Sequence, residues 1–264
     1  MKVWVVDAFT DEPCKGNPAA VVVVQDFPSV SKMQSIALYM NFSETCFIKH
    51  MGAGKFYIRW FTPTVEVKLC GHATLSAAFV LKTFCGVDTK VIQFESIGGP
   101  LTVESSGVYF SLTLESDEMR ENIVDERILD ALGDTSVFHS VKGKADDSFL
   151  VYVYSNPLSV RNLNPNFVKL KEATANAIIV TSKGDLGYDY LLRVFAPQYG
   201  IDEDPVTGSA QVLLASYWAS QFQNKTEFDV FQASPRTGRL RVSYLGKTVT
   251  VSGQVVLVSS QDIY

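Results

Sequence analysis

Histidine is scarce in this chain. There are three, His50, His72 and His139, and none stands at metal-type spacing from the four cysteines at 14, 46, 70 and 85. That argues against a zinc centre. Without a G-x-S-x-G elbow it also argues against a Ser-His-Asp hydrolase. No C-x-x-C occurs, and all four cysteines lie in the first third, so free thiols in a reducing compartment are expected. Phosphate loops are missing as well: neither G-x-x-x-x-G-K-[ST] nor G-x-G-x-x-G is present, so no nucleotide cofactor is implied and none of another kind is expected. The 23 Lys and Arg residues form no run and are outnumbered by 28 Asp and Glu. The resulting charge of −5 speaks against a nucleic-acid surface. Pro18–Val24, the longest uncharged apolar stretch near the N-terminus, is too short to span a bilayer. Met1-Lys2 leads straight into VWVVDAF with no signal-peptide pattern. A cytoplasmic address without a membrane partner is the expectation.

What is present is a good core and a repeat. At 264 residues with 47% apolar and 19% charged residues, the chain can build one large domain or two modest ones. Arg193–Phe222 reads RVFAPQYGIDEDPVTGSAQVLLASYWASQF, and Arg59–Phe84 reads RWFTPTVEVKLCGHATLSAAFVLKTF. In both, R-x-F-x-P precedes a loop that ends in Gly-X-Ala and opens an apolar helix. Arg59, Phe61 and Pro63 recur at one constant offset as Arg193, Phe195 and Pro197. Gly71, His72 and Ala73 recur at a slightly larger offset as Gly208, Ser209 and Ala210, so the second loop is the longer. Two copies of one supersecondary unit would set two helix starts behind short loops. The first turn of a helix carries unpaired N–H groups and partial positive charge, which suits a carboxylate.

In chain order, residues 3–9 and 19–25 read as buried strands joined by DEPCKGNP, whose turn echoes at Ser155-Asn156-Pro157. Residues 29–40 read as a helix with Val30, Met33, Ile36, Ala37 and Met40 on one face, capped by Ser29 or Ser31. NFSETCFI (41–48) leads into a strand from Glu44, and 55–61 alternates as another. Helices 72–84 and 208–222 are apolar nearly all round and must be covered on every side. Strands at 90–95, 100–104 and 107–114 flank the first. Strands at 136–142, 148–154, 177–182, 188–195, 226–232, 238–244 and 247–258 flank the second, with a helix near 164–175 and a loop over 196–207. The polar stretch Glu115–Asp125 is the candidate boundary. These features predict an α+β fold of two similar lobes, 1–117 and 118–264, each a curled antiparallel-rich sheet around a central helix. The lobes are expected to be related by a pseudo-twofold axis, with an active site in the cleft.

NFSET (41–45), CGHAT (70–74) and DEDPVTGSA (202–210), in this order, closely resemble the phenazine-biosynthesis isomerase family, the PhzF-like proteins. The resemblance covers essentially the whole chain. It implies the two-lobed fold that this family shares with diaminopimelate epimerase, and it places the family's catalytic glutamate on Glu44. The family's substrate-contacting His, Asp and Ser fall on His72, Asp204 and Ser209. The epimerase relatives use two opposed cysteines; here Cys70 stands at the first such place, and Pro205–Thr207 offers no thiol at the second.

The expected activity is a cofactor-independent isomerase acting on a small unsaturated carboxylate metabolite. Glu44, His72 and Asp204 are the expected catalytic residues, and Gly71, Ala73, Gly208 and Ser209 the substrate-binding ones. Burial in a closed cleft is expected to raise the Glu44 pKa. Each residue also has a plainer reading: Glu44 as a strand-edge carboxylate, His72 as a core residue, Asp202, Glu203 and Asp204 as a solvated loop, Ser209 as a backbone cap. Cys70 stays open between buried filler and base. Thr74 and Thr207 read as helix-start structure, and Gly238 with Arg239 as an exposed hairpin, with an anion contact reaching the cleft as the other reading. An epimerase using Cys70 and a non-catalytic binding protein are the rival readings. A homodimer is left open.

Overall fold

The computed structural model describes residues 1–52, 54–144, 149–223 and 225–263. They form two compact units, 1–113 with 252–264 and 114–251. The final segment, from Ser252 on, therefore returns to the first unit, not the second as a break near residue 118 had implied. Among the described residues, no helix is long and apolar enough to cross a membrane.

In the first unit β1 (Lys2–Ala8), β2 (Asn17–Val24), α1 (Val30–Met40), β3 (Glu44–Gly52), β4 (Lys55–Phe61) and β5 (Glu66–Val67) precede α2 (Gly71–Phe84). After it come β6 (Val91–Glu95), β7 (Leu101–Ser106) and β8 (Tyr109–Glu115). β1 and β2 are antiparallel and β2 and β3 parallel. A parallel pair needs a crossover, and α1 supplies it. Ser29 caps α1 by accepting from Lys32 N at 3.3 Å, and Asn41 ends it in the left-handed region at φ 52°. Met33, Ile36 and Ala37 bury the face the spacing implies, with Val3, Ala20, Val22, Phe47 and Phe61 as partners; Val30 stays exposed. Just after the Asn41 turn, Glu44 opens β3.

α2 is buried from His72 through Ala78 and again at Val80 and Leu81. It packs on β1, β2, β3 and β7. Each fully buried Val or Leu there contributes about 1.5–3 kcal/mol, which explains why this helix is apolar nearly all round.

The second unit repeats the programme. β9 (Met119–Glu121) and α3 (Glu126–Leu132) lead to β10 (Val137–Gly143) and β11 (Phe149–Tyr154). α4 (Pro157–Asn162) and α5 (Phe167–Ala173) cross over to β12 (Ala177–Lys183), which is parallel to β11 as β3 is to β2. β13 (Tyr190–Ala196), a 3-10 turn (Pro197–Tyr199) and β14 (Ile201–Asp204) precede α6 (Gln211–Gln221). β15 (Glu227–Gln232), β16 (Gly238–Tyr244) and β17 (Thr248–Asp262) follow. β13 pairs in parallel with β15, matching β4 with β6. Residues 255–262 of β17 run antiparallel to β1, as β9 does to β10.

Several local expectations are corrected. The helix expected near 164–175 is the shorter α5: Pro165 disfavours helix at Asn164, and the Asn166 side chain starts α5 by accepting from Lys169 N, while the turn expected at Ser155–Pro157 opens a separate short helix, α4. The loop expected over 196–207 contains the 3-10 turn and β14. α3 went unread behind the polar stretch, although Asp125 caps it by accepting from Arg127 N at 2.9 Å. The helix expected from Gly208 starts at Gln211; Gly208, Ser209 and Ala210 form a tighter turn whose carbonyls accept from Gln211, Val212 and Leu213.

The R-x-F repeat has one structural job in both units. Arg59 donates two hydrogen bonds to Glu66, both at 2.7 Å, and Arg193 donates two to Glu203, at 2.8 and 2.9 Å. Each glutamate lies opposite the phenylalanine of its motif: Phe61 pairs with Glu66 and Phe195 with Glu203. Each guanidinium also sits over that ring, at 5.4 and 4.9 Å. The extra length of the second loop falls between Pro197 and Glu203, where the 3-10 turn is. Glu203 is thus structural, and Asp204 takes the place held by Val67 in the first unit.

Candidate active site

Glu44, at the start of β3, meets His72, in the first turn of α2. Their nearest atoms, Glu44 Oε2 and His72 Nε2, are 3.2 Å apart, and both side chains are nearly buried. The approach is close enough for ion pairing, yet Glu44 Oε2 is buried without an aligned hydrogen-bond donor. We read the contact as a charge contact that leaves this oxygen able to take a proton from elsewhere.

Burial raises the Glu44 pKa, but the His72 imidazole, with the Ser43 hydroxyl and Cys70 thiol beside it, outweighs it, so the carboxyl ends below its ordinary 4.5. The expectation of a raised pKa is therefore corrected: desolvation acts as foreseen, and the imidazole beside it reverses the outcome.

Two neighbours complete this cluster. Cys70, the residue before α2, lies with Sγ 3.5 Å from His72 Nδ1 and 4.0 Å from Nε2. Ser43 Oγ lies 3.5 Å from His72 Nε2 and donates to Asn17 Oδ1 at 3.2 Å and to the Pro18 carbonyl at 3.3 Å. Ser43 and the fully buried Asn17 were absent from the expected site. Asn17 could have been suspected from the KGNP turn, and Ser43 from its place beside Glu44. Thr74 is structural as expected, its hydroxyl donating to the Cys70 carbonyl at 2.5 Å.

Gly71 starts α2 without steric need: an added Cβ would meet only Leu112 Cδ2, at 3.7 Å. Ala73 is fully buried behind it. α2 has no acidic residue in its first turn, and neither has α6, so no carboxylate of their own first turns neutralises either positive end.

In the second unit Asp204 closes β14, paired with Val194. Its Oδ2 accepts from Thr207 Oγ1 at 2.7 Å, so Thr207 stands at the place of Cys70 as a loop brace. The fully buried Gln232 side chain reads the same loop from β15. Its Oε1 accepts from Thr207 N at 2.8 Å, and its Nε2 donates to the Asp204 carbonyl at 2.8 Å and to Thr207 Oγ1 at 3.2 Å. Ser234 Oγ donates to the Pro205 carbonyl at 2.6 Å. Gly238 is buried, not part of an exposed hairpin; a Cβ there would meet Val206 Cγ2 at 2.3 Å. Arg239 is exposed. Ser209 is exposed, and Gly208 half-buried, at the turn before α6.

The structure thus gathers Glu44, His72 and Cys70 into one cluster of the first unit. It gathers Asp204, Gly208 and Ser209 on one braced loop of the second. All four cysteines are thiols, with no disulfide among them; Cys46 is buried, and burial pushes its thiol far up. Among the described residues, Glu44, Cys70 and His72 offer three ligand atoms all within 4.8 Å of one another, a grouping that spacing along the chain could not disclose because the carboxylate comes from β3.

A family model described as phenazine biosynthesis-like protein matches residues 6–261. The chain is 38% identical over 264 residues to a protein of Halalkalibacterium halodurans called an uncharacterized isomerase, covering 99% of this chain and 97% of that one. A crystal structure of a phenazine biosynthesis protein of the PhzF family from Enterococcus faecalis superposes with a TM-score of 0.94 at 35% identity, covering 100% and 98% of the two chains. A hydroxyproline epimerase from Agrobacterium vitis shares the fold alone, with a TM-score of 0.61 at 10% identity over 99% and 91%. The chain belongs to the phenazine biosynthesis-like family of isomerases.

Proposed function

We propose that this isomerase moves a proton within a small unsaturated carboxylate metabolite, without a cofactor, and that Glu44 carries the proton. The observation that carries this reading is the Glu44–His72 contact at 3.2 Å, with a buried carboxylate oxygen lacking an aligned donor. A carboxylate held ionised by a neighbouring imidazole starts the cycle as a base. It takes the proton from an activated C–H, becomes the neutral acid, and returns the proton elsewhere on the same conjugated system. Atoms and charge are conserved, and no redox partner is needed. His72 polarises and orients the reacting group. In the first unit the N–H groups at Gly71–Ala73 donate to the substrate carboxylate, and Asp204, Gly208 and Ser209 are the candidate substrate contacts of the second.

The Cys70–His72 contact at 3.5 Å favours one other reading, an epimerase with Cys70 as base. Two variants separate them. General acid–base catalysis contributes roughly 10²- to 10⁴-fold. Glu44→Gln should therefore lose at least about a hundredfold in kcat while far-UV circular dichroism stays native, and Cys70→Ser should lose much less. The opposite order would give the chemistry to the thiol.

A further inference from the structure

We propose that Glu44, Cys70 and His72 also form a three-donor site for a thiophilic divalent cation of the zinc class, which would lock the Glu44–His72 pair and stop proton transfer. The binding stands apart from the isomerase reading, and only the arrest of proton transfer rests on it.

The donor set is one carboxylate oxygen, one thiol sulfur and one imidazole nitrogen, three different kinds from β3, the residue before α2 and its first turn. Sulfur and imidazole together select zinc or cadmium over magnesium or calcium, which take oxygen ligands. Zinc bonds of about 2.3 Å to sulfur and about 2.0–2.2 Å to nitrogen and oxygen set tetrahedral ligand–ligand edges of roughly 3.3–3.6 Å. Here His72 Nε2 lies 3.2 Å from Glu44 Oε2 and 4.0 Å from Cys70 Sγ, so a modest turn of the thiol completes the geometry. Glu44 Oε2 is buried 3.2 Å from His72 Nε2 without an aligned donor, which leaves it a lone pair for a metal ion. Three protein ligands leave the fourth position open. On binding, the Cys70 thiol proton passes to solvent, so a thiolate–metal bond forms as the S–H bond breaks.

The test uses the whole chain with the two exposed cysteines removed, Cys14→Ser with Cys85→Ser, under a phosphine reductant. Cadmium is titrated in, and the thiolate-to-cadmium charge-transfer band is followed in the near ultraviolet. The expected result is one equivalent bound with a single-thiolate band and released by a chelator. In that background Cys70→Ser should abolish the band. His72→Ala and Glu44→Gln should weaken binding by more than the roughly 10- to 100-fold typical of losing an outer-shell partner. No band, a band that survives Cys70→Ser, or one indifferent to both His72→Ala and Glu44→Gln would overturn the proposal. Should Cys70→Ser fail to fold, alkylation of Cys70 in the unmodified chain serves instead. Zinc should slow it and a chelator restore it, and an unchanged rate overturns the site.

Discussion

Gln232 offers the sharpest test of how the Asp204 loop is held. Its amide presents one acceptor to the Thr207 N–H and one donor to the Asp204 carbonyl, both at 2.8 Å, from a fully buried position. Gln232→Met keeps the volume and removes both functions. Each buried backbone group left without a partner costs about 1–3 kcal/mol, so the variant should lose about 2–6 kcal/mol of stability. Gln232→Glu is more informative. As a carboxylate it sets negative charge against the Asp204 carbonyl oxygen; as a neutral acid it can donate to that oxygen and accept from Thr207 N as the amide does. Burial raises a carboxyl pKa, so the acid form should dominate at mildly acidic pH. Because the folded-state pKa is raised above the unfolded value, the stability of this variant relative to wild type should be highest at low pH and fall as pH rises through it. Urea denaturation from pH 5 to 8 is the assay, with turnover measured alongside. If Gln232→Glu tracked wild type across that range, or Gln232→Met lost less than about 1 kcal/mol, the amide would not be the brace described here.

The buried pair Arg193–Glu203 should tolerate no half-removal. Glu203→Ala or Arg193→Met should each cost about 3–5 kcal/mol in chemical denaturation, the arginine change also stranding the Leu163 carbonyl it holds at 2.7 Å. Its counterpart Arg59–Glu66 is more exposed and should cost less when broken. Activity should show an acid limb below pH 4.5, since Glu44 must be ionised and its pKa is lowered. His72→Gln should move that limb upward, because desolvation then acts without its counterweight, and a limb that stayed or moved down would refute the pairing. The same lowered pKa gives stability that is present above the ordinary value of Glu44 and lost as pH falls through the folded one.

Much of this was legible in the sequence because it is local or repeated. Arg59 and Arg193 matched by position, and the structure gives each its own matching glutamate, Glu66 or Glu203, and ring, Phe61 or Phe195. Ser29 and the α1 face followed from capping and spacing, the start of β3 at Glu44 from the polar NFS turn, and the choice of Glu44 for the site from the family resemblance. The rest depends on partners far away in the chain. Gln232 is an ordinary strand residue until β15 lies beside the loop that holds Asp204 and Thr207. The return of β17 to β1 joins the two ends of the chain and leaves no local mark. The pKa of Glu44 took its sign from the His72 imidazole on a different element, where burial alone pointed the other way. α6 started late because the three residues that match the opening of α2 close a tighter turn first.

In the proposed reaction one carboxylate carries a proton from one carbon to another of the same molecule. The measurement is NMR in D₂O with candidate unsaturated hydroxy or amino acids, following the double bond and the isotope together. A shuttle through Glu44 should move the double bond, keep the molecular formula apart from isotope, and deposit less than one full deuterium, because the proton can return before it exchanges. Inversion of one centre with full deuterium incorporation and no migration of the double bond would contradict it.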